Sequence, residues 1–384
     1  MKALILSANL GGGHNAAANA LSEALQEMGV ETRVMDSVAF GGAWLSKTST
    51  KVYEGMVRHV PSAFGMMYRS SRSISHHRVK SPVYVMNSTY AFRMKKVLKS
   101  MKPDLIICTH IFASQSVTHL IHNGDYRGIH AMIMTDYTVH PFTEDAEVDV
   151  LYMPHEALLD DCRRRHLPEA TVRFAGIPVS LACQPCEDKK AAKRAVGLDE
   201  NGQEVLLVGG AMGAGNIPET VAALVPILGE KGHLTVVCGN NEKLRAAVAE
   251  KVAGNKRVTV RGRVVPLTAA MAAADVLVTK PGGLTSTEAM TIGTPMVIVN
   301  PIAGCETDNA AFFEKRGMAL CAHSKEELAT KVELLLQDED ARQKMVENQH
   351  REIPADSARQ IARELVEMVW EHKGHRPMEK ELTI

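Results

Sequence analysis

The chain has 384 residues, of which 45% are hydrophobic, so its length predicts two or three domains with packed cores. Basic and acidic residues number 44 each, which disfavours a nucleic-acid-binding protein, and no apolar run reaches the ~18–20 residues that span a bilayer. Seven cysteines without a secretory leader predict a reduced, cytoplasmic chain.

Strand and helix patterns alternate through the first half of the chain. Strands are predicted at 2–8, 32–36, 104–109, 130–135 and near 152, and helices at 16–28, 43–58, 84–100, 113–122 and 155–165. A glycine turn at 11–13 joins the first strand to the first helix. This alternation indicates βαβ units and therefore a parallel sheet.

The alternation stops at 177–190, which is typical of a linker, and then restarts. Strands are predicted at 204–208, 234–238, 257–260, 275–279 and 295–299, and helices at 216–229, 243–252, 266–273, 284–292, 306–315 and most of 325–371. We therefore predict an α/β domain at 1–178, a linker and helix at 179–202, and a second α/β domain at 203–350. A C-terminal helix at 351–373, which can pack back on the first domain, and a tail at 374–384 follow. Open parallel sheets bind ligands at the carboxyl ends of their strands, so the two domains should share a cleft.

Positive charge is concentrated between residues 41 and 100, where eleven Lys or Arg accompany one acid and give a local charge of +10. Apolar residues such as Trp44 and Phe64 lie among cations such as Arg69 and Arg72. This mixture suits an anionic membrane surface. Two solvated helices that balance an acidic remainder are an equally open alternative, whereas an RNA-binding surface lacks a recognisable module.

The glycine turn supports two interpretations. Residues 11–16 (GGGHNA) fit the G-x-G-x-x-A dinucleotide fingerprint, with Asp36 at the end of the second strand, and on that basis predict an NAD-linked enzyme. His14 argues against this, because a dinucleotide turn does not need a histidine at the helix start. The helix dipole lowers the pKa of a histidine there, so a neutral His14 is a candidate general base, with a polar residue of no chemistry as the alternative.

Two glycine loops in the second half suit phosphate groups. The loop at 209–215 presents backbone N–H groups at a helix entrance. In 279–290 (TKPGGLTSTEAM) the helix start can hold a diphosphate, and Glu288 can accept hydrogen bonds from both hydroxyls of a ribose. The pattern Thr285-x-x-Glu288 equally fits a capping box with no ligand.

Polar residues follow two other predicted strands. Glu306 and Asn309 lie in a loop at 300–309 whose small residues suit sugar hydroxyls, or else an ordinary N-cap. Asp136 and His140 lie in the 135–142 loop, where a parallel sheet places ligand contacts, or else in a simple turn. No convincing Asp-x-Asp metal motif accompanies them.

Six segments in this order resemble one known family. They are the glycine–histidine loop at 11–14, TDYTVHP at 135–141, GIP at 176–178, GGAMG at 209–213, KPGGLTSTEA at 280–289 and PIAGCETDNA at 301–310. Together they resemble the monogalactosyldiacylglycerol synthases and processive diacylglycerol glucosyltransferases of glycosyltransferase family 28. The resemblance implies a GT-B fold, in which two Rossmann-like domains with parallel sheets face a central cleft.

The resemblance also implies roles for individual residues. In the second domain, Arg263 and Val264 would meet uracil, Glu288 the ribose, Ala211, Met212, Gly213, Gly282, Gly283, Leu284 and Thr285 the diphosphate, and Glu306 and Asn309 the hexose of UDP-glucose or UDP-galactose. In the first domain, His14 would be the base with Asp136 beside it, and Gly12, Gly13, His140, Trp44, Phe64, Arg69 and Arg72 would face a diacylglycerol-type lipid. The expected protein is an inverting, metal-free hexosyltransferase, peripheral on the inner face of the cell membrane.

Two departures from the family pattern bear on this. Cys305 stands where the family usually has Gln, and a thiol cannot make the paired contacts of an amide. The Asp that precedes the glycine loop in plant members is absent, since the sequence there is Ala8-Asn9-Leu10. A carboxylate that orients the base must then come from elsewhere, and Asp136 is the candidate.

Three other functions stay open at this point. The same fold can transfer N-acetylglucosamine from its UDP-sugar to a polyprenyl-diphosphate-linked acceptor. The dinucleotide fingerprint keeps an NAD-dependent oxidoreductase in view. A membrane-associated regulator that senses nucleotide sugars without turnover would keep the donor site alone.

Overall fold

The computed structural model describes residues 1–8, 12–41, 80–209 and 216–374. It contains two six-stranded parallel sheets, one in each half of the chain, so the predicted α/β architecture is confirmed. The predicted helix at 43–58, most of the 209–215 loop and the tail beyond 374 lie outside the described residues.

The first sheet has the strand order β2-β1-β3-β4-β5-β6. Its strands are β1 Lys2–Ser7, β2 Glu31–Asp36, β3 Leu105–Cys108, β4 Ile129–Ile133, β5 Val150–Met153 and β6 Val172–Phe174. Every residue of β3, β4 and β5 is buried, because helices cover both faces of the sheet. This burial explains why these strands read as unbroken apolar runs.

The second sheet has the order β12-β11-β10-β7-β8-β9. Its strands are β7 Gln203–Val208, β8 Gly232–Val237, β9 Val258–Arg261, β10 Val276–Thr279, β11 Met296–Ile298 and β12 Leu320–Cys321. In both sheets the order in which strands are added reverses beside the first strand of the domain, β1 or β7. That reversal is where open α/β sheets place their ligand crevice.

Thirteen α-helices lie in the described ranges. They are α1 Gly12–Glu27, α2 Pro82–Met101, α3 Ile111–His122, α4 Leu159–Arg164, α5 Lys189–Ala195, α6 Ile217–Leu224, α7 Glu242–Lys251, α8 Leu267–Ala273, α9 Gly283–Ile292, α10 Cys305–Lys315, α11 Lys325–Gln337, α12 Glu339–Glu352 and α13 Ser357–His372. Among the described residues, no helix is both long and apolar enough to cross a bilayer.

Several boundaries differ from the sequence prediction. Helix α1 begins at Gly12 instead of residue 16, which places His14 inside its first turn. The predicted helix at 216–229 ends at Leu224 and continues as a 3-10 turn that contains Pro226. The helical stretch at 325–371 is three helices, since Asp338 ends one helix and caps the next with its side chain.

The C-terminal helix α13 packs on the first domain, although it follows the second in sequence. Its buried residues Ile361 and Leu365 share a hydrophobic cluster with Leu21 of α1. Two polar contacts flank this cluster: Arg359 bonds Glu27 at 2.8 Å, and Tyr152 donates to Glu364 at 3.0 Å. The chain therefore crosses between the domains a second time after the linker.

Candidate active site in the cleft between the domains

The carboxyl ends of the two sheets face each other and share one apolar core. Met134 and Tyr137, which follow β4, belong to the same buried cluster as Leu284 of α9 and Phe312 of α10. Polar residues at the same strand ends lie around this core. The predicted catalytic segment and the predicted donor segments are thus brought together.

His14 is held in one orientation by Thr109, which follows β3. Its Nδ1 lies 2.8 Å from the Thr109 carbonyl oxygen, and the Thr109 hydroxyl donates to the His14 carbonyl at 3.1 Å. A carbonyl oxygen only accepts, so Nδ1 carries the ring proton and Nε2 keeps its lone pair. The Thr135 hydroxyl lies 2.9 Å from the same Nδ1. Nε2 has no hydrogen-bond partner among the described residues.

Burial lowers the pKa of His14, and the negative charge of Asp136 only partly offsets this effect. The imidazole is therefore neutral near pH 7 and can accept a proton at Nε2. These two features, a fixed tautomer and a neutral ring, are what a general base requires. A polar residue with no chemistry would need neither.

His110, which the sequence analysis did not single out, packs against His14. The two rings meet edge to face with centroids 4.7 Å apart. The His110 Nδ1 accepts from the backbone N–H of Phe112 at 3.1 Å and so caps helix α3. Burial, together with His14 and His140, holds the pKa of His110 well below its usual value. Its position directly after β3 is the signal that could have identified it.

Asp136 pairs with His140 and not with His14. The His140 Nε2 donates to the Asp136 carboxylate at 3.1 Å, and the Asn309 amide donates to its other oxygen at 2.8 Å. Burial opposes the charge of Asp136, but these hydrogen bonds outweigh it and keep its pKa below the usual value. The expectation that a carboxylate orients the base is therefore corrected: the Thr109 carbonyl does so, and Asp136 acts on His14 through its charge.

The start of helix α9 has no side-chain cap. Gly282 is the N-cap residue, and Thr285 is the third residue of the helix, so the predicted capping box does not form. A capping residue must directly precede the helix, whereas Thr285 lies about one turn inside it. The capping-box interpretation is therefore wrong. The first N–H groups of α9 thus have no protein acceptor in the described part of the chain. They can hydrogen-bond an anion, and the helix dipole favours one there.

Glu288 lies on α9 one turn after Leu284 and is half-buried. Its carboxylate makes no hydrogen bond with any described residue, and burial raises its pKa to about 7. An ionisable group that is buried without a partner is typical of a ligand site. The geometry leaves both oxygens available to hydroxyl donors such as those of a ribose.

Glu306 forms an ion pair with Lys280, which the sequence analysis did not select. The Lys280 Nζ lies 2.5 Å from one carboxylate oxygen, and the backbone N–H of Ile302 donates to the other at 2.9 Å. Lys280 directly follows β10 and begins the KPGG segment, so its place at a strand end was the available signal. A hexose hydroxyl at Glu306 would share the carboxylate with these two partners.

Asn309 does not present its amide to the cleft. Its two hydrogens go to Asp136 and to the carbonyl of Pro281, the latter at 2.9 Å, and its oxygen accepts from the backbone N–H of Tyr137 at 2.7 Å. The side chain is fully buried. The expected contact between Asn309 and the hexose is therefore corrected, because no amide hydrogen remains to donate.

The remaining predicted residues are dispersed. Arg263 is exposed and Val264 half-buried just beyond β9, and Gly12 and Gly13 form the start of α1. Seven predicted site residues lie outside the described residues: Trp44, Phe64, Arg69, Arg72, Ala211, Met212 and Gly213. Within the described ranges, no three His, Cys, Asp or Glu side chains form a group that could hold a metal ion.

Two family models match the two halves of the chain. The model for Monogalactosyldiacylglycerol (MGDG) synthase matches residues 14–179, and the model for Glycosyl transferases group 1 matches residues 188–352. A processive diacylglycerol beta-glucosyltransferase of Staphylococcus carnosus is 26% identical over 349 residues, which cover 90% of this chain and 87% of that protein. The chain is thus similar to the MGDG synthases in its first half and to the group 1 glycosyl transferases in its second half.

Similar proteins of this kind occur in both bacteria and plants. The processive diacylglycerol beta-glucosyltransferase of Bacillus subtilis is 27% identical and is covered to 90% of its length. Monogalactosyldiacylglycerol synthase 1 of Arabidopsis thaliana is 28% identical, and this chain spans 63% of its length. The resemblance inferred from the six sequence segments is thereby confirmed.

Solved structures confirm the predicted GT-B fold of this chain. Acinetobacter baumannii MurG superposes with a TM-score of 0.59 at 16% identity, over 96% of this chain and all of that one. The spinosyn rhamnosyltransferase SpnG gives a TM-score of 0.60 at 14% identity, over 95% of this chain and all of its own. At these identities the likeness shows the fold alone.

Proposed function

We propose that this protein is an inverting glycosyltransferase that moves a hexose from UDP-glucose or UDP-galactose to diacylglycerol or a related membrane lipid. One observation carries the proposal. A neutral histidine, His14, whose ring proton is fixed on Nδ1 and whose Nε2 has no partner among the described residues, lies in the same cleft as the start of helix α9, which has no side-chain cap. The names of the relatives supply the acceptor, diacylglycerol, and the transferred sugars, glucose and galactose.

The proposed reaction is a single displacement. His14 Nε2 takes the proton of the lipid hydroxyl as its oxygen attacks the anomeric carbon of the sugar. The bond between that carbon and the diphosphate oxygen breaks with its electron pair, and UDP leaves. Attack from the face opposite the leaving group inverts the configuration. Asp136 stabilises the imidazolium that forms, because its charge raises the pKa of His14.

Backbone dipoles stabilise the leaving group in this proposal. The free N–H groups at the start of α9 face the charge that develops on the diphosphate, and preorganised donors of this kind contribute strongly to catalysis. Glu288 accepts hydrogen bonds from the ribose hydroxyls. No metal ion takes part, so transfer should continue in the presence of a chelator. Loss of activity in chelator and its recovery with a divalent ion would contradict this part of the proposal.

Helix α2 supports a peripheral membrane location. Its outward face combines exposed apolar side chains, Val85 at 57%, Met86 at 51% and Phe92 at 59%, with exposed cations that include Lys96 and Lys99. This face belongs to the basic segment singled out from the sequence. Apolar residues beside cations suit the headgroup region of an anionic leaflet. We propose that α2 lies on the inner face of the cell membrane and holds the cleft near its lipid acceptor.

The direct test is to identify the product. The protein is incubated with UDP-glucose, UDP-galactose or UDP-N-acetylglucosamine and vesicles that contain diacylglycerol, and lipids are analysed by mass spectrometry. A hexosyl diacylglycerol is expected, and its anomeric configuration should be opposite to that of the donor. A parallel reaction with a polyprenyl-diphosphate-linked acceptor tests the rival transferase. The absence of any glycolipid from active-site-intact protein would overturn the proposal.

A further inference from the structure

The segment 135–138, which follows β4 of the first domain, inserts into the second domain. A Cβ built on Gly283 would lie 1.9 Å from the carbonyl oxygen of Thr135, so only glycine permits this approach. The ring of Tyr137 packs on Phe312 and Phe313, with centroids 5.0 and 4.9 Å away. This segment of the first domain is therefore in direct contact with the start of α9.

Asn309 joins this segment to the donor side of the cleft. It donates to Asp136 of the first domain at 2.8 Å and to the carbonyl of Pro281, in the KPGG segment, at 2.9 Å. It also accepts from the backbone N–H of Tyr137 at 2.7 Å. A fully buried amide with all three bonds made is costly to disturb, because each lost partner leaves a buried polar group unsatisfied.

The position of Asp136 depends on both domains. One of its carboxylate oxygens is held by His140 of its own domain and the other by Asn309 of the opposite domain. The groups whose charge or burial acts on His14 are Asp136, His140 and the neighbouring ring of His110. Asp136 alone among them is an anion, so its placement decides how far its charge offsets the effect of burial on the pKa of His14.

We propose that Asn309 is a positioning residue, through which the donor-binding domain fixes Asp136 beside the base of the acceptor-binding domain. The catalytic site is then complete only when the two domains are in contact at the 135–138 segment. This inference rests on the proposed function, in which His14 is the base. It assigns Asn309 to the alignment of catalytic groups instead of to the sugar.

Three variants and one benchmark test the proposal. Asn309→Ala removes the bond to Asp136, and Asn309→Leu keeps a similar side-chain size but has no hydrogen to donate to it. Tyr137→Phe is the matched control. The Thr287 hydroxyl gives its hydrogen to the Gly283 carbonyl, so the Tyr137 hydroxyl donates to Thr287 at 2.9 Å, and its loss breaks an interdomain bond without touching Asp136. Asp136→Asn is the benchmark for loss of the charge.

The primary measurement is the pKa of His14, followed by NMR of protein labelled in the histidine rings and assigned with His14→Gln. We expect Asn309→Ala to lower the pKa of His14 in the same direction as Asp136→Asn, and Tyr137→Phe to leave it unchanged. Turnover should fall about 10- to 100-fold in both Asn309 variants, since small misplacements of catalytic groups have effects of this size. This fall should appear in kcat more than in KM for the lipid.

Two results would overturn the inference. One is a wild-type pKa for His14 in Asn309→Ala while Asp136→Asn shifts it. The other is an equal shift in Tyr137→Phe, which would assign the effect to interdomain contact in general. Should Asn309→Ala fail to fold, kcat of Asn309→Leu decides, and wild-type turnover there counts against the inference. The NMR titration needs no turnover, so an inactive wild type would refute the proposed function and leave this test intact.

Discussion

A methyl group at Gly283 should separate the two domains. The Cβ would lie 1.9 Å from the Thr135 carbonyl oxygen, and real Cβ atoms essentially never approach a neighbour closer than 3.0 Å. The segment must therefore retreat by about 1.1 Å. The hydrogen bond between Asn309 and Asp136, now 2.8 Å long, would then exceed the ~3.5 Å limit of a useful contact.

We expect Gly283→Ala to lower kcat about 100-fold, since a displacement of about 1 Å has an effect of that size on catalysis. The affinity for UDP should stay close to that of the wild type, because α9 keeps its N–H groups. Gly282→Ala is the matched comparison: a Cβ there meets nothing within 4 Å, so any effect should appear in nucleotide affinity alone. Steady-state kinetics and calorimetric titration of UDP separate these effects. Wild-type kcat in Gly283→Ala would refute the reasoning.

Three further predictions concern titratable or charged side chains. Burial raises the pKa of Glu288 to about 7, so UDP should bind more tightly at pH 8 than at pH 6 if the ribose hydroxyls donate to the Glu288 carboxylate. In calorimetry, Glu288→Gln should bind UDP more weakly and without this pH dependence. Unchanged affinity in the variant would exclude the contact. Burial lowers the pKa of His130 to about 4 from 6.5, so this group should cost the folded state up to about 3 kcal/mol as the pH falls through this interval. Urea unfolding of His130→Gln should show a shallower loss of stability, to which His14 and His110 still contribute, and an unchanged slope would contradict the assignment. The double change of Lys96 and Lys99 to Ala should weaken binding to anionic vesicles by about 2 kcal/mol, or about 30-fold, in a sedimentation assay. Lys243→Ala is the control, and equal binding of the wild type, the control and the double variant would contradict a membrane contact through α2.

The sequence predicted what depends on local pattern. Apolar runs such as 104–109 and 275–279 became buried parallel strands, and the rule that ligands lie at strand ends directed attention to His14, Asp136 and Glu288. The strand predictions were confirmed because a strand buried on both faces must be apolar throughout. The positions of the side chains at the strand ends then follow from the topology.

The partners of these side chains could not be predicted. Asn309 and Asp136 are 173 residues apart, and nothing in either segment specifies that an amide of the second domain will meet a carboxylate of the first. The carbonyl of Thr109, which orients His14, has no side-chain signature at all. The capping box failed for a different reason, because the start of α9 is set by Gly282 and a shift of a few residues changes which side chain can cap.

The central claim is that His14 is the base of a hexosyl transfer for which the second domain binds the donor. It is tested most directly by measuring, for His14→Ala in the same preparation, both the turnover with UDP-hexose and diacylglycerol vesicles and the affinity for UDP. The account predicts that turnover falls by ~10²–10⁴ while UDP affinity stays nearly unchanged, because a general base contributes that much to rate and does not contact the nucleotide. Turnover equal to that of the wild type would contradict it.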